Sequence, residues 1–471
     1  MDTLQKGRWK EVLKIAWPLI ISTASFSLMQ FCDRAFLANY SGDALRATVP
    51  ASILSFTFIC GFRAVVAYAN TFVAQYYGAG EAENCSLATM QAVILSFLLW
   101  PLVIAMIPLG RFLLQLANHP PAVLAGELDY FTIILLGSIT NMLPLAAASF
   151  FIGRGRTFLL MSAIVLGNIV NIGLDYLLIF GKLGLPELGI RGAAIGTVLA
   201  GLVTPAILMA IFFSKSCDRI YATRSSFRMR IDMMKRMIRF ALPSGIHFAL
   251  HIGSFAFFVV MVGRIGADAL AASNIVLSIN LFAFMPMVGL GLAAQTLMGQ
   301  YQGARDPESA RRSVISALRI GTIYISCVSA TFVLFPAQYI GIFTSDAPGT
   351  VAAETVFSTV RILMLMLVVR GFADMIDIVL SNALKGAGDT KFVMVFSLAA
   401  AWTMLGIGEY LIIEVFKGGI FVAWAWAILY LIVMAIGYWK RFRSGKWKEI
   451  DLLGRRPSPP ATDIETLSVT E

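Results

Sequence analysis

The sequence predicts an all-α polytopic membrane protein, with twelve transmembrane helices in two pseudo-symmetric six-helix bundles. Three observations carry this: the composition, the length of the apolar runs, and a repeat relating the two halves of the chain. Of 471 residues, 58% are hydrophobic and 14% charged, against about 25% charged in an ordinary soluble chain. Mean hydropathy is +0.79. The apolar residues are not dispersed as a soluble core would disperse them. They come in runs long enough to cross a bilayer, which takes about 20 residues at a helical rise of about 1.5 Å each. Lipid offers no partner to a backbone N–H or C=O, so each run is read as a helix despite its β-branched residues.

The runs fall at residues 14–38, 48–74, 88–113, 127–150, 159–180, 192–213, 240–263, 270–297, 315–341, 356–383, 392–413 and 419–439. The basic residues test the count. The connection 215–239 carries Lys215, Arg219, Arg224, Arg228, Arg230, Lys235, Arg236 and Arg239. Loops on the same side add Arg154, Arg156, Arg305, Arg311, Arg312, Lys385 and Lys391, while the opposite loops hold chiefly Arg46, Lys182, Arg191 and Lys417. The 78–87 loop departs from the trend, with Glu81 and Glu83 and no basic residue. The positive-inside rule places both termini and the 215–239 connection in the cytoplasm, which an even number of spans requires. A multi-pass protein of the cell (inner) membrane follows. The net charge of +10 then reflects orientation, and no nucleic-acid partner is expected. Met1 to Lys14 shows no cleavage pattern, so the first span reads as an uncleaved insertion signal. Gly454 to Glu471 is rich in Pro, Ser and Thr and reads as a disordered tail.

The halves repeat at a nearly constant offset. Pro18 matches Pro243, Gly42-Asp43-Ala44-Leu45 matches Ala267-Asp268-Ala269-Leu270, and Gln75-Tyr76-Tyr77-Gly78-Ala79 matches Gln300-Tyr301-Gln302-Gly303-Ala304, each 225 residues apart. Gly155-Arg156-Thr157 and Gly388-Asp389-Thr390 lie 233 apart, as a short insertion would produce. The chain is thus divided into a cytoplasmic N-terminus (1–13), an N-lobe (14–214), a basic cytoplasmic linker (215–239), a C-lobe (240–440) and a cytoplasmic tail (441–471). An even number of spans per half gives parallel repeats related by an axis along the membrane normal, an arrangement suited to transport between them.

Charged residues inside spans are expensive and tend to be functional. Asp33 lies deep in span 1, Asn171 and Asp175 lie one turn apart on one face of span 5, and Thr197 lies in span 6. Their oxygens could coordinate a small cation, the carboxylates could instead carry protons, or Asp33 and Asp175 could cap or pair structurally. In the second half, span 10 carries Arg370, Asp374 and Asp377, the first two at pairing distance i,i+4. His247 and His251 in span 7 suit packing beside those aspartates better than a metal site. Met261, Met285, Met287, Met364, Met366 and Met375 could line an adaptable apolar pocket or simply pack. Pro18, Pro243 and Pro286, the last followed by Gly289 and Gly291, are candidate kink sites.

Enzymatic and cofactor chemistry are not expected. The five cysteines show no paired or metal-like spacing. Gly153-Arg154-Gly155-Arg156 lacks the Walker lysine and a preceding strand. No polar stretch is long enough for a separate ATP-binding domain, so energy would come from an ion gradient, Na⁺ or H⁺, or from a partner.

The order and spacing of several segments resemble the multidrug and toxic compound extrusion (MATE) family, NorM-like branch, of the multidrug/lipid/polysaccharide exporter superfamily. They are Asp33 after Pro18, Gln75 to Gly80, Gly153 to Thr157, Asn168-x-x-Asn171-x-x-x-Asp175-Tyr176 running on to Gly192-Ala193-Ala194, and Leu384-Lys385-Gly386-x-Gly388-Asp389-Thr390. The resemblance spans about residues 10 to 450. It implies two lobes about a V-shaped cavity, and export of organic cations or other amphiphilic toxic compounds in exchange for Na⁺ or H⁺, with lipid around the chain and the monomer functional. It implies a cation or proton-coupling site at Asp33, Asn171, Asp175 and Thr197, which would hold the metal if the ion is Na⁺. A second-lobe coupling or substrate site would involve His251, Arg370, Asp374 and Asp377. Where the Na⁺-coupled branch places a span-7 glutamate, eight residues past the proline, this chain has His251. The segment Asp33-Arg34-Ala35-Phe36 also departs from the family's apolar run. The alternative within this fold is a flippase or exporter of a dedicated lipid-linked precursor or metabolite, for which Arg63 and Arg370 would supply a basic cavity wall.

Overall fold

The computed structural model describes residues 7–341 and 351–454, and these form helices and short turns with no strand among them. In chain order the long helices are α1 (Trp9–Tyr40), α2 (Gly42–Gly78), α3 (Ala82–Ile104), α4 (Pro121–Gly153), α5 (Thr157–Phe180), α6 (Ile190–Phe212), α7 (Ile231–Ile265), α8 (Ala267–Gly303), α9 (Pro307–Leu334), α10 (Val351–Gly386), α11 (Thr390–Val415) and α12 (Ile420–Arg443). All but α8 and α10 are long and apolar enough to cross a membrane, ten helices among the described residues. Helix α8 is an eleventh if its arms, bent by 44° between Leu281 and Ala283, form one span. The fold is all-α and multi-pass, and the count is ten or eleven against the twelve expected. The expected tenth span lies on α10, which carries Arg361, Arg370, Asp374, Asp377 and Lys385.

Proline explains where helices break. The bend in α8 sits one turn before Pro286, whose ring crowds the carbonyl four residues back and removes one ladder bond. The run expected at 88–113 is interrupted: α3 ends at Ile104 and a short helix, Ile107–Leu116, follows. Pro108 has no N–H to offer the Ile104 carbonyl. Pro18 and Pro243, by contrast, lie inside the continuous helices α1 and α7.

The repeated segments meet one another. Asn70 Nδ2 donates to Thr296 Oγ1 at 3.3 Å, and Gln295 Nε2 donates to Thr71 Oγ1 at 2.8 Å. Residues 70 and 71 are the 225-offset equivalents of 295 and 296, so this is one contact made twice. Gln75 Nε2 reaches the Gly386 carbonyl at 2.9 Å, and Gln300 Nε2 reaches that of Gly153 at 2.7 Å. A Cβ on Gly78 would overlap the Gln300 carbonyl, and a Cβ on Gly303 would overlap that of Gln75. The motif therefore packs the two halves backbone to backbone, which only glycine permits.

The second pair of repeats sets turns. Gly155 and Gly388 take φ of +72° and +94°, the left-handed region that glycine enters without steric penalty. Asp389, next in line, binds Arg441 of α12 through two bonds, Nε–Oδ2 at 2.6 Å and Nη2–Oδ1 at 3.2 Å. Arg441→Lys should keep the charge and lose the planar fork. The expected result is a loss of about 1–3 kcal/mol, read as a lower thermal midpoint.

Two loops differ from expectation. Within 215–239 lie a short helix, Lys215–Tyr221, and the start of α7 at Ile231. The connection is tied to α3: Ser86 Oγ donates to the Tyr221 carbonyl at 2.7 Å and Gln91 Nε2 to that of Arg228 at 2.8 Å. Lys385, assigned above to a loop, is buried in the last turn of α10. The beginning of the expected tail is packed, with Trp447 buried and stacked on Phe442 at 5.7 Å. The rest of it, 455–471, lies outside the described residues, as do 1–6 of the expected N-terminus.

Candidate functional site

The first-half residues converge where α5 packs between α1 and α6. Asp175 and Asn171 are buried, placed on one face of α5 by their four-residue spacing. Asn171 Nδ2 donates weakly to Asp175 Oδ1 at 3.5 Å. The Asp33 carboxyl, half-buried on α1, meets that of Asp175 at hydrogen-bonding range. Asp33 Oδ1, Asn171 Oδ1 and Asp175 Oδ2 are buried without a hydrogen-bond donor among the described residues. Three buried acceptor oxygens on neighbouring side chains thus have no donor among the described residues, and such a deficit fits a proton or a small cation.

Thr197 stands one residue after Gly196 on α6. Its hydroxyl donates to the Ala193 carbonyl of its own helix at 2.9 Å, and no described bond joins it to either aspartate. Its neighbour Gly196 matters more: a Cβ there would collide with Asp175 Oδ1. Reasoning from polar residues overlooks a glycine whose contribution is space. It overlooks Tyr130 of α4 as well. That side chain lies close enough to both aspartates for their charges to act on it, but in sequence it is one tyrosine at a helix's apolar face. Gly196→Ala is expected to displace the Asp175 carboxyl and lower coupled flux at least about tenfold, a loss of about 1.4 kcal/mol or more. Thr197→Ala should change flux little. Gradient-driven flux in vesicles measures both.

The second-half residues form a mixed cluster. Arg370 Nε lies 3.2 Å from Asp374 Oδ2, an ion pair between two largely buried side chains, though not aligned as a hydrogen bond. Asp377 Oδ1 is buried without a donor among the described residues, and Lys385 is close enough to act on it electrostatically. His247 and His251 stack with ring centroids 6.3 Å apart. Lys385 and Arg370 lie close enough to His251 to act on it electrostatically. Among the described residues no three His, Cys, Asp or Glu side chains could share a metal. Met261, Met287, Met364 and Met375 are buried, and Met375 also lines a cavity with Leu318, Phe372 and Trp439. Arg63 donates to Asn141 Oδ1 at 2.8 Å.

A multi-pass all-α membrane chain with buried, unsatisfied carboxylates inside its helices has the architecture expected of a membrane transporter. Known proteins agree. The MatE family matches residues 18–177 and 243–408. The chain is 26% identical over 448 residues to a probable multidrug resistance protein NorM of Thermotoga maritima, covering 95% of this chain and 94% of that one. It is 29% identical over 403 residues to a multidrug resistance protein NorM of Burkholderia vietnamiensis, covering 84% and 85%. Its fold superposes with a TM-score of 0.84, at 20% identity and over 96% of this chain and 99% of the other, on an outward-facing multidrug resistance MATE family transporter of the MOP superfamily. The chain belongs to the MatE family, and it is a transporter related to the NorM proteins.

Proposed function

We propose that this chain is a secondary antiporter, exporting organic cations or other amphiphilic toxic compounds in exchange for Na⁺ or H⁺. The observation that carries the reading is the Asp33–Asp175 contact. Two carboxylates facing each other without a donor repel if both are ionised, so the pair takes up a proton or a cation. Occupancy changes the charge between α1 and α5, and α1 also packs along α8 of the other half. An ion bound there can thus bias how the halves sit, while substrate favours a different arrangement. Coupling requires only that the two ligands prefer different conformations by a few kcal/mol.

The reading includes twelve helices in two six-helix lobes, 14–214 and 240–440, joined by the basic linker. The reciprocal bonds between residues 70–71 and 295–296 support the pseudo-symmetry. It places both termini in the cytoplasm of a cell-membrane protein functional as a monomer. The interlocked segments then lie at the cytoplasmic end, and the exchange path opens outward. Asp33, Asn171 and Asp175 form the coupling site, with Thr197 at its margin. The cluster of His251, Arg370, Asp374 and Asp377 serves the second lobe. The alternative cargo, a lipid-linked precursor on a basic wall, is disfavoured because Arg63 and Arg370 are already engaged by Asn141 and Asp374.

The test is reconstitution of the full chain in liposomes with a fluorescent organic cation, imposing a Na⁺ gradient and a pH gradient separately. Flux driven by one gradient and lost in Asp33→Asn is the expected result. No flux under either gradient overturns the reading.

A further inference from the structure

An ionisable residue in the spans, Glu409 of α11, belongs to neither cluster. It is fully buried, and both carboxyl oxygens lack a hydrogen-bond partner among the described residues. Such a group in a membrane helix is expensive to keep ionised, and nothing nearby offsets that expense. The helices packed against this stretch are α7 and α12. They carry His247, His251, Arg264, Tyr430 and Tyr438, and Tyr410 and Glu414 flank Glu409 on its own helix. None of these is hydrogen-bonded to Glu409. The Arg264 guanidinium is engaged by Glu414 at 2.8 Å.

The backbone supplies a second, independent observation. Glu409 and Tyr410 sit between two π-helical runs, Ala401–Gly408 and Leu411–Val415. Such turns are rare, and they occur frequently at functional sites. A π turn takes more residues than an α turn, so these runs present a different face from the one a plain α-helix would. The wide turn is held from α12. Trp426 Nε1 donates to the Met404 carbonyl at 2.8 Å, and its indole fills the space beside Gly408 that a Cβ would occupy. The neighbours therefore fix an uncommon helical geometry around a carboxyl that has no partner.

We propose that Glu409 is a proton-binding site separate from the Asp33–Asp175 pair. A proton is favoured over a metal ion because a metal needs several ligands, and among the described residues Glu409 belongs to no group of three His, Cys, Asp or Glu side chains that could hold one. In the arrangement described here Glu409 is a neutral carboxylic acid. Its carboxylate has taken one proton from solvent, with no other bond made or broken. Release requires the π-helical stretch to open far enough for water to reach the carboxyl.

The test is infrared titration of the full chain in lipid, comparing the unaltered protein with Glu409→Gln and Asp33→Asn. Glutamine is the neutral isostere, so folding should be retained. The expected result is a protonated-acid carbonyl band at neutral pH that Glu409→Gln loses and Asp33→Asn keeps, and that fades as the pH is raised. If Glu409→Gln fails to insert, glutamate isotope-labelled at its side-chain carboxyl shifts the same band in the unaltered chain. Spectra lacking any such Glu409 band at neutral pH overturn the proposal, because Glu409 is then ionised. A band unchanged up to the highest pH at which the chain stays folded also overturns it, because the acid is then fixed and exchanges nothing. Neither readout requires transport, so failure here is distinct from failure of the antiport reading.

Discussion

Asp33→Asn is expected to abolish gradient-driven export while leaving a folded, inserted protein. An amide cannot release a proton and binds a cation weakly, so the variant loses the charge change that ties ion to conformation. Coupling free energies of about 1–3 kcal/mol correspond to about 5–150-fold in affinity, and the flux driven by the coupling ion should fall within or beyond that range. Stability should move the other way or not at all. The new side-chain amide can donate to Asp175, whose Oδ2 has no donor at present, and one of two facing carboxylates disappears. A thermal midpoint equal to or above that of the unaltered chain, together with lost flux, is the signature of a functional site held at the expense of stability. Unchanged export in a folded Asp33→Asn protein would remove Asp33 from the mechanism. Asp175→Asn should behave alike but lose somewhat more stability, because Asp175 is fully buried and also engages Asn171.

Gly78→Ala and Gly303→Ala should each weaken the contact between the halves, and by similar amounts. Each added methyl would overlap a backbone carbonyl of the opposite half, Gln300 or Gln75. Backbone cannot swing aside as a flexible side chain can. Overpacking of this kind costs about 1–3 kcal/mol, and the thermal midpoint should drop accordingly. The double variant should lose less than the sum, because one separation of the halves relieves both clashes. Spin labels at positions 77 and 302, beside this contact and at least partly exposed, should report a longer distance in either variant. An unchanged distance and midpoint would mean that the reciprocal packing contributes nothing to holding the halves together.

The two sites are legible in the sequence to different degrees, and the reasons are physical. Asp33, Asn171 and Asp175 stand out because a charge in an apolar run is rare and costly, so sequence alone marks them. Helical periodicity further puts Asn171 and Asp175 on one face. Gly196 carries no such mark, since its contribution is the absence of a Cβ beside Asp175. Thr197 draws notice for its hydroxyl, whose proton goes to its own helix while the oxygen keeps its lone pairs. Lys385 reads as a loop residue from its place after an apolar run, yet α10 continues through it and buries it near Asp377. Glu409, a charge inside the 392–413 run, carries the same mark as Asp33, and what the sequence hides is that the helix around it is π-wound.

The repeat shows where the boundary between sequence and structure falls. By itself the sequence determined that the chain is a multi-pass helical membrane protein, because lipid leaves an apolar run no other way to satisfy its backbone. It also determined that the halves are copies, since Gln75 to Ala79 and Gln300 to Ala304 match at a constant offset. Only the tertiary structure decided that these copies bind each other, glycine against carbonyl and glutamine against carbonyl. It likewise decided that Asp33 of α1 finds Asp175 of α5. Local propensity and hydropathy act along the chain. Contacts between residues well over a hundred positions apart depend on how whole helices pack, which no local pattern records.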